Sequence, residues 1–159
     1  VLLQDESGEK AVTYDLPALL PQAFGPPDLG AGNGLTAPPA RLPDLGLQSS
    51  SRDKLVLKAQ AAARNSYAPY SYNLAGCAIL ADNNKIYTGP YVENAAFNPS
   101  LSPLHTAIVC MTMDDFESDG RITRAVLVEK PTSINQRGVC EQLLQTVAPD
   151  VDLEYFEAS

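Results

Sequence analysis

Tryptophan is absent, histidine occurs once (His105), and only three cysteines (Cys77, Cys110, Cys140) are spread through 159 residues. Three widely spaced cysteines do not make a disulfide framework, and they point to a reducing, cytoplasmic compartment. One histidine with no Cys-x-x-Cys and no His-x-x-x-His leaves too few donors for a buried zinc site. A glycine-rich phosphate loop is missing too. No run approaches the roughly 20 apolar residues that a helical membrane span needs. Cations are scarce, with 11 Lys+Arg against 19 Asp+Glu for a net charge of −8. Nucleic-acid affinity comes largely from cations on phosphates, so neither polynucleotide editing nor nucleic-acid binding is expected.

Apolar residues make up 45% of the chain, enough for one ordinary domain with a packed core. Residues 30–50 interrupt it with four Gly, three Pro and three Ser or Thr and no sustained period, which predicts a linker. Before the linker, Val1–Leu3 and Ala11–Thr13 read as short strands, and Asp15-Leu16-Pro17 opens a short helix that Pro21 curtails. Two strands and one helical turn cannot close a core, so residues 1–29 read as the tail of something larger.

Residues 51–159 read as a compact unit in the order αββαβαβ, a mixed sheet covered by helices. Ser51 is the expected cap of a helix running to about Asn65, with Leu55, Val56, Ala59, Ala62 and Ala63 on one side. Ala75–Leu80 and Lys85–Gly89 predict a hairpin around Ala81-Asp82-Asn83-Asn84. Ser102-Pro103 predicts a helix start, with a buried stripe of Leu104, Ala107, Ile108 and Met111. Ala125–Val128 is a continuous apolar run, as in a sheet centre. A helix near Val139–Val147 and a strand near Val151–Phe156 complete the unit.

Two stretches carry more than structure. Ser66-Tyr67-Ala68-Pro69-Tyr70-Ser71, Gly76, and Gly89-Pro90-Tyr91-Val92-Glu93-Asn94-Ala95-Ala96-Phe97 resemble the cytidine deaminase family, whose A-Y-x-P-Y-S and G-x-N-x-E-N-A flank the first hairpin. Separately, residues 19–29, LLPQAFGPPDL, resemble the C-terminal L-L-P-x-x-F-G-P-x-D-L of that family's catalytic domain. The order resembles the larger, homodimeric, two-domain type. The resemblance implies a three-layer α/β/α deaminase-like fold with a mixed central sheet. It implies the end of an upstream catalytic domain at 1–29, the linker, and a second deaminase-like domain at 51–159.

It also implies that the second domain has lost its chemistry. The family's C-A-E-R-T-A-I falls on residues 102–108, which puts Ser102 at the metal-ligand position and Leu104 at the Glu proton-shuttle position. His105 falls where the family carries no ligand, and the residues alone read it as a solvated or edge-of-core side chain. P-C-G-x-C falls on residues 136–140, with Arg137 at one cysteine position and only Cys140 kept; a rival register starting at Pro131 keeps none. The base-stacking aromatic falls on Asn73 and the ribose-binding Asn on Tyr91, leaving Glu93, which reads as a structural tie. No catalytic residue and no bound zinc are expected in this chain.

Phe24, Ala95 and Phe97 match positions that, in the family, reach across an interface to cover a neighbour's pyrimidine; otherwise they are core or interface aromatics and a small loop residue. Tyr91, Ala95–Phe97 and Leu101–Leu104 are expected at that interface. The function implied is the C-terminal portion of a zinc-dependent cytidine deaminase acting on a small nucleoside: dimer scaffold and pocket wall for a zinc site held upstream. A free-standing, non-catalytic deaminase-fold binding or assembly module is the alternative.

Overall fold

The computed structural model describes residues 2–4, 8, 11–31, 45, 52–114 and 120–159. The chain divides into two compact units, Val1–Gly34 and Leu35–Ser159. In the first, β1 (Leu2–Gln4) pairs antiparallel with β2 (Ala11–Thr13). Then α1 (Leu16–Leu19) starts after Asp15 with proline in its first turn, and a 3-10 turn covers Pro26–Leu29. None of the residues in α1 or in that turn is buried. This agrees with the expectation that so short a piece closes no core.

The second unit runs α2 (Lys54–Arg64), β3 (Ala75–Ala81), β4 (Ile86–Pro90), α3 (Pro103–Asp114), β5 (Ile122–Glu129), α4 (Arg137–Val147) and β6 (Leu153–Glu157). The sheet order is β4-β3-β5-β6, with β3 antiparallel to both β4 and β5, and β5 parallel to β6. The sheet is mixed, as expected. Ser51 lies outside the described residues; the observed cap of α2 is Asp53, whose Oδ1 accepts from Leu55 N at 2.8 Å. Most of the segment read as a linker also lies outside them. Leu45 within it is buried against α2, and its carbonyl accepts from Gln60 Nε2 at 2.6 Å.

Alternation along the strands makes three layers. Ala78, Val126 and Val128 face α2 through Val56, Ala59 and Ala63. Cys77, Ile79, Ala125 and Leu127 face α3 and α4 through Leu104, Ala107, Cys140 and Leu144. Because both faces of β5 are covered at its centre, Ala125–Val128 is a continuous apolar run.

Two glycines set how close the helices come. A Cβ on Gly76 would fall 2.1 Å from Ala63 N of α2, and one on Gly89 would fall 2.2 Å from Ala107 N of α3. Backbone cannot yield as a flexible side-chain tip does. Gly89→Ala is therefore expected to cost about 1–3 kcal/mol or more by overpacking. Chemical denaturation should show this as a lower midpoint at unchanged slope; an unchanged midpoint would mean that α3 does not sit against β4.

Candidate functional site

The N-terminal ends of α3 and α4 and the loop after β4 converge on one hollow. Ser102 precedes α3, and its Oγ accepts from His105 N at 3.3 Å, the bond that a serine makes at a helix start. The same Oγ lies 2.7 Å from His105 Nδ1. His105, expected as a solvated or edge-of-core side chain, thus has Ser102 as a partner. Three residues apart at a helix start, the two side chains are neighbours, and that spacing was the available signal. Gln136 holds the corresponding place before α4.

Leu104 is fully buried in the apolar cluster between the sheet and α3. At that depth an aliphatic side chain carries no proton and admits no water. Cys140 is also fully buried. Burial pushes its thiol up to about 11, although the Ser102 hydroxyl and the Leu104 backbone amide favour the thiolate. The neighbouring Cys77 thiol is pushed up as well, by burial first and by Cys140 second. Arg137 turns elsewhere: its Nε donates to Glu141 Oε1 at 2.7 Å, and its guanidinium lies 5.0 Å from the centre of the Tyr155 ring.

Beneath the hollow lies a buried polar network absent from the sequence reading. Glu129 Oε1 accepts from Asn73 Nδ2 at 2.9 Å and from Gln136 N at 2.6 Å. Gln136 Nε2 donates to Asn73 Oδ1 at 3.2 Å. Tyr91 is buried, and burial, with the Glu93 charge, raises its pKa although Ser100 and Gln136 act to lower it. Glu129 Oε2 is buried without a hydrogen-bond partner, and burial raises the pKa of this carboxyl. Tyr155, beside it, is pushed up to about 12 by burial and then by Glu129 and Glu157. No single sequence signal reports a network whose members stand 56 and 63 residues apart.

Glu93 is buried, and its Oε2 accepts from Tyr70 N at 2.9 Å and Ser71 N at 3.2 Å. That is a structural tie, between the segment after β4 and the turn before β3. Phe97 is 60% exposed, borders the hollow of its own unit, and sits at φ +61°. Ala95 is half-buried in the same loop. Phe24 is 60% exposed in the first unit. Of the residues expected at an interface, Tyr91, Ser102, Pro103 and Leu104 are instead buried in their own unit, because their side chains fill the α3 face of the sheet and the hollow's floor. Phe97 and Leu101 stay exposed.

The model of the cytidine and deoxycytidylate deaminase zinc-binding region matches residues 16–141. The chain belongs to that family. A cytidine deaminase of Aliivibrio fischeri is 43% identical over 137 residues, covering 86% of this chain and 44% of the relative. The chain thus spans less than half the length of the curated relatives it matches. The crystal structure of cytidine deaminase from Mycobacterium leprae aligns at 29% identity with a TM-score of 0.52, covering 62% of this chain and 82% of that one. The structure of the Burkholderia pseudomallei cytidine deaminase aligns at 23% identity with a TM-score of 0.55, covering 69% and 91%, a likeness of fold. The expected deaminase-like fold is the one observed.

The family's region is named for zinc, and the residues here do not fit that metal. Zinc takes deprotonated thiolates, neutral imidazoles and carboxylates, usually four ligands in a tetrahedron. Around Ser102 the donors are a hydroxyl engaged with an imidazole and one thiol kept protonated by burial. Among the described residues, no three His, Cys, Asp or Glu side chains form a group that could hold a metal. Likewise among them, no helix is long and apolar enough to cross a membrane.

Proposed function

We propose that this chain is the C-terminal part of a two-domain, homodimeric cytidine deaminase, with residues 1–29 ending an upstream catalytic domain and 51–159 forming a non-catalytic second domain. The complete enzyme would replace the amino group of cytidine or deoxycytidine by hydroxyl in the cytoplasm, using a zinc site upstream of this chain. The observation that supports the reading is the full burial of Leu104, at the position where the resemblance implies the family's proton-shuttling glutamate. In this role the chain's residues scaffold and exclude water; they transfer no proton to substrate. Phe24, Ala95 and Phe97 would wall a neighbouring pocket. The length relation to the relatives, each about twice as long, supports a missing partner domain.

A scaffold needs a face to dock. The outer side of α3 offers Val109 and Met113, 55% and 77% exposed, continuous in sequence with Leu101 and Phe97. Charge is absent from this helix until Asp114. Exposed apolar area of this kind marks association surfaces. Sedimentation velocity of the chain is expected to show concentration-dependent association, weakened at least about tenfold by Val109→Asp with Met113→Lys. A monomer at every concentration, with both apolar residues intact, would remove the scaffold role.

A further inference from the structure

We propose that a second hollow, at the opposite end of the sheet, is a binding site for a zwitterionic α-amino acid with an apolar side chain. It lies where α4 ends and β5 begins, and Arg121, Ile122, Val147, Ala148, Asp150 and Val151 wall it. The length of β5, from Ile122 to Glu129, puts about 23 Å between it and the polar network beneath the first hollow. The two hollows share no lining residue. The volume of the second is about 310 Å³. Ligand sites run from about 300 to 1,000 Å³, so it suits a small molecule.

The charges select the ligand. Arg121 and Asp150 are exposed, and neither side chain makes a hydrogen bond or ion pair among the described residues. A guanidinium holds a carboxylate through two parallel N–H donors. The Asp150 carboxylate holds an ammonium, and the C-terminal end of α4 beside it adds partial negative charge. An acid alone would meet Arg121 but be repelled by Asp150, and an amine alone would meet the reverse. A zwitterion satisfies both.

The rest of the lining is mostly apolar. Ile122 and Ala148 are buried beneath it, while Val147 stands 48% exposed on the last turn of α4. An aliphatic side chain laid against Val147 and Val151 takes apolar area out of water on both partners. Backbone bonds fix these walls. Asp82 N donates to Arg121 O at 2.9 Å, Ala148 N to Leu144 O at 2.7 Å, and Val151 N to Ala148 O at 3.0 Å. Thr123 Oγ1 donates to Leu80 O at 3.0 Å. Preorganised groups lose little entropy when a ligand arrives. The site does not require the reading under Proposed function, because it needs neither turnover nor a second domain.

The test is a titration of the chain with L-leucine, followed by two-dimensional amide NMR. Three probes each remove one feature: glycine lacks the aliphatic side chain, isocaproate the ammonium, and isoamylamine the carboxylate. Expected are saturable shifts with leucine at Ile122, Val147, Ala148 and Val151, and binding of each probe weaker by at least about tenfold. Arg121→Gln and Asp150→Asn remove one charge each from side chains that hold nothing in the fold among the described residues. Each should weaken leucine by at least about tenfold, and each should erase one preference. On Arg121→Gln the amine should bind as well as leucine does, and on Asp150→Asn the acid should. The proposal is overturned if leucine gives no saturable shifts at these residues, if the probes bind the wild type as tightly as leucine does, or if both variants bind leucine as the wild type does.

Discussion

Incubated with zinc and then freed of excess metal, the chain is expected to retain far less than about one zinc ion and to leave cytidine unchanged. Two expected losses and one burial act together. Ser102 offers a hydroxyl, a poor ligand beside thiolate or imidazole, and that hydroxyl is already paired with His105. Arg137, where the resemblance implies a cysteine ligand, directs its cation toward Glu141 and Tyr155. Cys140 keeps its sulfur but holds it inside an apolar cluster, where burial disfavours the thiolate. Restoring only Leu104→Glu does not rescue the chemistry. It buries an unpaired carboxyl where leucine was fully enclosed, at a cost of several kcal/mol. The measurement is elemental analysis of the dialysed chain beside an assay for uridine. About one tightly held zinc per chain, with uridine formed, would refute the non-catalytic reading.

How much of this was legible beforehand depends on how local each signal is. The buried side of α2 matches its expected stripe residue for residue, because 3.6-residue periodicity is written into consecutive positions. The continuous apolar run of β5 likewise announces a strand covered on both faces. The α4 boundary is less clear: the helix begins at Arg137, two residues before the apolar pattern does, since Arg137 and Gly138 contribute nothing to the core. Gly76 and Gly89 stand in motif stretches, yet their closest contacts are with helical backbone brought there by the fold. The site shows the same contrast. Ser102 before α3 and Leu104 on its buried side could be placed by local spacing alone. The Asn73–Glu129–Gln136 network could not, because each residue alone reads as an ordinary polar position. Asn73 and Gln136 bond each other and share Glu129 Oε1, while Glu129 Oε2 is left buried without a partner, a state that costs stability.

In a full-length enzyme of the proposed two-domain kind, Phe97→Ala is expected to lower kcat/KM by about five- to a hundredfold while zinc content stays unchanged, corresponding to about 1–3 kcal/mol of apolar contact. The ring is 60% exposed within its own unit, so its removal takes little from that unit's core. Lost efficiency would therefore report a contact made outside it, at a neighbour's pocket. Backbone strain supplies a control. At φ +61°, glycine is relaxed where alanine and phenylalanine are not, so Phe97→Gly should remove the same ring while relieving strain. The two variants should share the kinetic loss and differ in stability, with glycine the more stable. Mixed dimers sharpen the reading further: a wild-type second domain facing one catalytic site should restore that site alone, to about half the full activity. Unchanged kinetics with a melting temperature several degrees lower would make Phe97 a structural residue and end its role at a neighbour's pocket.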